Sequence, residues 1–256
     1  MSKEDLQFSV KDSIGHFIIN REPQRNALNL ETLSLFLKYL DQAESDDAAR
    51  VILITGAGER AFCSGADLGS AVGGQLQEGF RSYAQLMKKL AGYPKPVAAR
   101  INGDCLAGGM GLVLACDIVI SRNDVKFGTP EVNVGLFPMM IGALIYRNVL
   151  RKRAMEMILL GQKLDAEQAR DMGLITRTVA PEKLDAEVAQ TLKLLAAKSP
   201  IGIRLGKEAF YAMADMPFED ALDFLSQKIA QVAATEDAKE GITAFLEKRQ
   251  PVFKGR

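Results

Sequence analysis

The chain has 256 residues, 48% of them apolar and 25% charged, which suits one large soluble domain, or a domain with a small appendage, able to bury a core without disulfide or metal staples. Its 32 Lys and Arg residues balance 32 Asp and Glu residues, and this zero net charge argues against a nucleic-acid binder, which usually carries a basic excess. The opening MSKEDLQFSV lacks the basic then apolar pattern of a signal peptide, and no apolar run approaches the roughly 20 residues that span a bilayer. A cytoplasmic location without membrane contact is therefore expected. Residues 14–20 (IGHFIIN) read as a strand, and residues 29–43 as an amphipathic helix with Leu33, Phe36, Leu37 and Leu40 at helical spacing, opened by Asn29 or Leu30. Residues 51–56 (VILITG) are a short buried strand closed by glycine. A polar, glycine-rich stretch follows to about residue 79, then a helix over 79–93 that stops before Pro94. Residues 97–101 form a strand, 106–116 a glycine-rich loop feeding a buried helix, and 117–121 another strand. This alternation predicts an α/β fold with largely parallel pairing. No period is strict enough to mark a repeat. Beyond it, helices are expected at 141–150, 153–160 and 166–172, a lone strand at 174–179, and four helices at 183–197, 200–214, 218–234 and 236–248.

Several segments carry candidate chemistry. Gly56-x-Gly58-x-x-Ala61 after a strand approximates a dinucleotide fingerprint, with Glu78 about 20 residues on. Phe62-Cys63-Ser64-Gly65 is a poor helix start, which disfavours a nicotinamide cofactor. In FCSGADL (62–68) the small residues let a ligand approach the backbone, making the Ala66 N–H a candidate oxyanion donor. A tight turn with Asp67 as a helix cap explains the same residues. Ala107-Gly108-Gly109-Met110-Gly111 leads into the apolar LVLAC and offers unpaired N–H groups at a helix start. Two such donors converging on developing charge are worth on the order of 3–4 kcal/mol each. The competing explanation is close helix packing that demands small residues. In GTPEVNVGLFP (128–138), Glu131 stands among Phe127, Val132, Val134 and Leu136. Desolvation there would raise its pKa to suit a general acid/base, whereas a solvated glutamate behind Pro130 at a helix start is the plainer alternative. Cys63, Cys105 and Cys116 are an odd, widely spaced set without a CxxC pair, favouring a reducing compartment and no metal site. His16, the sole histidine, lies in a strand pattern with no triad or metal cluster around it. Arg147, Arg151, Lys152 and Arg153 read as a solvated helix face, and Met139 and Met140 as core or pocket wall.

Taken in order, these segments resemble the crotonase superfamily, the enoyl-CoA hydratase/isomerase family. The resemblance rests on NREPQRNAL (20–28), AFCSGADL (61–68), PVAARINGDCLAGGMGLVLACD (96–117), KFGTPEVNVGLFP (126–138), LDAEQARDMGLITRTV (164–179) and FLEKRQPVFKGR (245–256), nearly the whole chain. It implies a spiral of ββα units over residues 1–195 and a C-terminal helical region over 196–256 that serves trimerisation and active-site capping, with assembly as a homotrimer or a dimer of trimers. It implies that Ala66 and Gly108 donate two oxyanion N–H groups, that Glu131 is a catalytic acid/base, and that Ser64, Gly65, Asp67 and Leu68 lie along the bound acyl-CoA. Lys254 is the candidate for a CoA phosphate at a neighbouring subunit. No cofactor is implied, since CoA is part of the substrate, and the setting would be fatty acid metabolism and β-oxidation.

One departure bears on the reaction. Family hydratases carry a second glutamate three residues after the second oxyanion glycine, and that position here is Gly111. Position 111 lies one helical turn from Gly108 on the same face, so its side chain would aim at the site. Dienoyl-CoA isomerases of the family place an Asp at the position of Met139. A Δ3,Δ2-enoyl-CoA isomerase with Glu131 as sole acid/base fits these residues best. An atypical enoyl-CoA hydratase and a non-catalytic CoA-thioester binder are the alternatives.

Overall fold

The structure, a computed structural model, describes residues 4–67 and 76–256. It opens on a hairpin absent from the expectations above. β1 (Leu6–Lys11) pairs antiparallel with β2 (Ile14–Ile19). The two link residues Asp12 and Ser13 both have left-handed φ, 51° and 65°, the backbone that a two-residue link between right-twisted strands requires. α1 (Leu30–Ser45) starts where Asn29 predicts: the Asn29 carboxamide accepts the Thr32 N–H at 2.7 Å. Its buried stripe of Leu33, Phe36, Leu40 and Ala43 packs into the main core, where Phe17 and Phe36 stack with ring centroids 5.9 Å apart. Each of the leucine and phenylalanine side chains contributes roughly 1.5–3 kcal/mol through removal from water.

The next stretch is a repeated unit. β3 (Val51–Gly56) is followed by β4 (Ala61–Cys63) and α2 (Leu76–Ala91); β5 (Val97–Ile101) by β6 (Asp104–Leu106) and α3 (Gly108–Leu114); β7 (Ile118–Arg122) by β8 (Lys126–Gly128), a short 3-10 turn at Pro130–Val134 and α4 (Met139–Asn148). The long strand of each unit enters a six-stranded sheet of order β1-β2-β3-β5-β7-β10, and the short one a four-stranded sheet of order β4-β6-β8-β9. Pairing is parallel except at β1–β2 and β8–β9. The repeat escapes the sequence pattern because β4, β6 and β8 are three residues each, too short to show a period-2 alternation.

α5 (Arg151–Leu160), β9 (Leu164–Asp165) and α6 (Ala166–Asp171) complete the wall around the small sheet, and α6 carries a reciprocal capping box between Asp165 and Gln168. β10 (Arg177–Val179) is not a lone strand; it closes the edge of the large sheet against β7. α7 (Leu184–Ala196) covers the other face of that sheet, where Leu184, Val188 and Leu192 meet Val51, Leu53, Ala98 and Ile120. α8 (Pro200–Met213), α9 (Phe218–Ala233) and α10 (Glu236–Leu246) pack on one another. Among the described residues no helix is long and apolar enough to cross a membrane.

Two buried asparagines hold the β3–β4 corner. The Asn102 amide donates to the carbonyls of Gly56 and Gly58 at 2.9 and 2.6 Å, and its oxygen accepts the Gly56 N–H at 3.1 Å. Asn26 donates to the carbonyls of Ala57 and Ala61 at 3.0 and 2.7 Å. Asn102→Ala strands three backbone groups where water has little access, so it is expected to cost roughly 2–4 kcal/mol, read as a lowered urea midpoint at unchanged slope.

Candidate active site

The small sheet assembles the site. β4, β6 and β8 run parallel side by side, with Cys63 paired to Cys105 and Leu106 to Gly128. The chain leaves their carboxyl ends as Ser64-Gly65-Ala66, Ala107-Gly108 and Thr129-Pro130-Glu131. Adjacent strands lie about 5 Å apart, so three segments remote in sequence converge at one end of a parallel sheet, where such sheets place their ligands. The Ala107 N–H donates to the Gly128 carbonyl at 2.9 Å and ties the second segment to the third.

The first two segments approach as closely as backbone allows. Gly65 has φ +100°, and a Cβ built on it would stand 2.7 Å from Ala107 Cβ and 2.9 Å from the Gly108 nitrogen. A Cβ on Gly108 would in turn lie 3.5 Å from the Ala66 nitrogen. Leu28 bridges to this loop as a parallel partner: its N–H donates to Gly65 O at 2.8 Å, and its carbonyl accepts the Asp67 N–H at 2.9 Å. In that ladder the peptide N–H of Ala66 itself faces away from Leu28. Neither the Ala66 nor the Gly108 N–H has a backbone acceptor among the described residues. Ala107, between the strand and α3, sits at φ 49°, a left-handed backbone uncommon for a residue with a side chain.

The NREPQRNAL segment proves to be the strap on this loop. Arg21 forms an ion pair with Asp67 at 2.8 Å and another with Asp5 at 2.9 Å, and the Arg25 carbonyl accepts the Ser64 N–H at 3.1 Å. The Asp67 carboxylate is thus engaged by Arg21, while the residues it would cap as a helix start lie outside the described residues. Leu68 lies outside the described residues. Lys254 is exposed in the C-terminal tail, which is fastened by the buried Asp237: its carboxylate accepts the N–H of Lys254 at 2.7 Å and of Gly255 at 3.0 Å.

Glu131 follows Pro130 on the 3-10 turn that leaves β8. The solvated alternative does not hold: the residue is only partly exposed, and its Oε2 is sealed from water without a hydrogen-bond partner among the described residues. Desolvation raises its pKa above the usual carboxylate value, opposed in part by its own backbone N–H. The neighbouring Thr129 Oγ1 is likewise buried and unpartnered. A carboxyl whose pKa is raised on folding favours the folded state fully below its unfolded pKa, and that contribution is lost as pH rises through the folded pKa. Glu131→Gln is therefore expected to be more stable than the parent at neutral pH. The difference should vanish below the ordinary carboxylate range, as urea midpoints at the two pH values would read.

The volume above Gly111 is filled. A methyl placed there would overlap the Tyr83 hydroxyl and stand 2.7 Å from Ile141 Cγ2 and 2.9 Å from Met87 Sδ. Tyr83 comes from α2, where it shares the buried stripe with Leu86, Met87 and Leu90, and its hydroxyl donates to the Gly108 carbonyl at 2.6 Å. Burial pushes the phenol pKa well above its ordinary value, with Cys63, Cys105 and Glu131 adding to the shift. The sequence gives no sign of this role, since helical spacing marks Tyr83 only as core. Cys63 and Cys105 are free and buried beneath the site, and desolvation raises both thiols, that of Cys63 to about 12, which disfavours the reactive thiolate in each. His16 is half-buried on β2, with its pKa lowered by burial and by Lys11.

Comparison with known proteins agrees with this geometry. Residues 9–256 match the family described as enoyl-CoA hydratase/isomerase. A putative enoyl-CoA hydratase of Thermus thermophilus is 34% identical over 251 residues, covering 95% of this chain and 98% of that protein. The 2,3-dehydroadipyl-CoA hydratase of Escherichia coli is 36% identical over 241 residues, covering 93% and 94%. The crystal structure of enoyl-CoA hydratase from Bacillus anthracis superposes with a TM-score of 0.94 at 32% identity, covering 98% of this chain and all of that one. The two-sheet ββα spiral and these matches over almost its full length place the chain in the enoyl-CoA hydratase/isomerase family, the crotonase superfamily, whose members act as lyases and isomerases on acyl-CoA thioesters.

Proposed function

We propose that the chain is a Δ3,Δ2-enoyl-CoA isomerase-like enzyme that holds a thioester enolate between the N–H groups of Ala66 and Gly108 and shifts one proton with Glu131. The observation that carries this reading is the occupancy above Gly111: a neutral phenol and two apolar side chains stand where a second carboxylate would project. Addition of water needs both an oriented water and a delivered proton, work usually shared by two acid/base groups. A double-bond shift needs one. The Glu131 carboxylate takes a proton from C2 of a 3-enoyl thioester, the electrons move into a dienolate, and the same group returns the proton to C4. Negative charge on the thioester oxygen rests on the two amides throughout. Ser64, Gly65, Asp67 and Leu68 would border the CoA, which enters as part of the substrate and leaves no need for a separate cofactor. Exposed Val134, Leu136, Phe137 and Met139 beyond Glu131 support an apolar acyl chain.

The test is product analysis with 3-enoyl-CoA and 2-enoyl-CoA supplied separately. Conversion of the first to the 2-enoyl isomer, with at most slow hydration of the second, is the expected result; fast hydration with no isomerisation would overturn it. Hydration is the second reading, favoured by the E. coli relative named for that activity.

The reading includes assembly. Phe218, Phe245 and Leu246 on α9 and α10 are 77%, 82% and 74% exposed, more apolar surface than a monomer sensibly shows to water. Further copies of this chain, in a homotrimer or dimer of trimers built through residues 196–256, are proposed to cover them and to bring Lys254 to a neighbour's CoA. Light scattering should then give a mass three or six times 27.9 kDa, and a monomer would refute this part. A cytoplasmic role in fatty acid β-oxidation completes the proposal, supported by three cysteines that are all free.

A further inference from the structure

Tyr83 is buried, chemically unusual in its surroundings and unused by the mechanism above. Its hydroxyl reaches the Gly108 carbonyl at 2.6 Å, across one Cα from the Gly108 nitrogen, which stands 2.9 Å from where a Cβ on Gly65 would lie. Gly108 and Gly109 are consecutive, and paired glycines are the least restrained stretch a backbone can have. Ala107 before them carries a left-handed φ of 49°, which adjacent structure must enforce. An amide that must meet developing charge without reorganising needs an external restraint at this point. The ring of Tyr83 is itself anchored, because α2 buries it beside Leu86, Met87 and Leu90.

We propose that Tyr83 is a positioning residue for the thioester-polarising amides: its O–H, donated to the Gly108 carbonyl in the space left by Gly111, fixes the Gly108 backbone and through its Cα the N–H of the preceding peptide, in register with Ala66. This rests on the oxyanion reading given above. It also supplies a physical reason for glycine at 111, since any side chain there displaces the hydroxyl. The phenol is buried and stays protonated, so it restrains the backbone rather than carrying protons.

The experiment follows the absorption band of a conjugated aryl-enoyl-CoA thioester bound to the parent enzyme, to Tyr83→Phe and to Gly111→Ala, beside kcat, KM and the thermal midpoint of each. Two well-aimed N–H groups polarise the bound thioester and shift its band to the red. Tyr83→Phe should bind the probe and stay folded, lose most of the red shift, and lower kcat by about tenfold with KM within about twofold. Gly111→Ala should reproduce the loss of red shift by pushing the hydroxyl away from the opposite side. A folded Tyr83→Phe that keeps the red shift overturns the proposal, whatever its kcat, because the amides would then be aimed without the phenol. A parent enzyme that binds the probe with no red shift overturns the oxyanion reading itself, a failure distinct from that of Tyr83.

Discussion

Replacing Glu131 by glutamine should lower kcat by about 10²–10⁴-fold while acyl-CoA still binds with unchanged affinity. The amide has the size of the carboxyl but neither takes nor returns a proton, and the groups proposed to border CoA are untouched. The loss should fall on kcat because the role proposed for Glu131 is on the reacting carbons alone. The pH profile adds a check with a definite sign. Abstraction needs the carboxylate, so parent activity rises as pH climbs through the raised pKa of Glu131. The residual rate of the variant should lack that limb. Steady-state kinetics over a pH series, with calorimetric titration of a non-reactive acyl-CoA, measure all three quantities. Turnover surviving in Glu131→Gln would remove Glu131 from the chemistry and leave the fold assignment intact.

How much of this could be read in the sequence depended on the range of the interactions involved. α1 was legible to within a residue of its start, Asn29 or Leu30, because the Leu33, Phe36, Leu40 stripe and the polar residue before it are local. The segments carrying Ala66, Gly108 and Glu131 could be named one by one, but each had a plain alternative, and their convergence depends on the parallel register of β4, β6 and β8. Three-residue strands leave no periodic trace, so the two-sheet spiral came from family resemblance and not from pattern. Gly111 was visible as a gap, while its complement Tyr83 was not. The two residues are 28 positions apart, and a tyrosine on a buried helix stripe looks the same whether its hydroxyl is idle or bonded. The N-terminal hairpin was missed for a different reason. Leu6, Phe8 and Val10 do alternate, but its turn residues Asp12 and Ser13 reveal their left-handed backbone only in the structure.

Gly65→Ala tests the oxyanion geometry without touching any acid or base, and it is expected to lower kcat/KM by about 10²–10³-fold. The added methyl meets the Gly108 nitrogen at 2.9 Å and Ala107 Cβ at 2.7 Å, neither of which is a flexible side-chain end that can swing aside. The left-handed φ of +100° adds backbone strain, roughly 1–3 kcal/mol of stability. Relief of both requires the loop carrying Ala66 to move away from Gly108, although Leu28, Arg21 and Arg25 hold that loop from behind. The two N–H groups proposed to share one oxygen would then no longer converge. Because an enolate left without its amides is no easier to form whichever base attacks, Gly65→Ala and Glu131→Gln together should be far less damaging than the product of their separate losses. Multiplicative losses in that double variant would mean that the two groups serve different steps, and a single enolate shared between them would have to be abandoned.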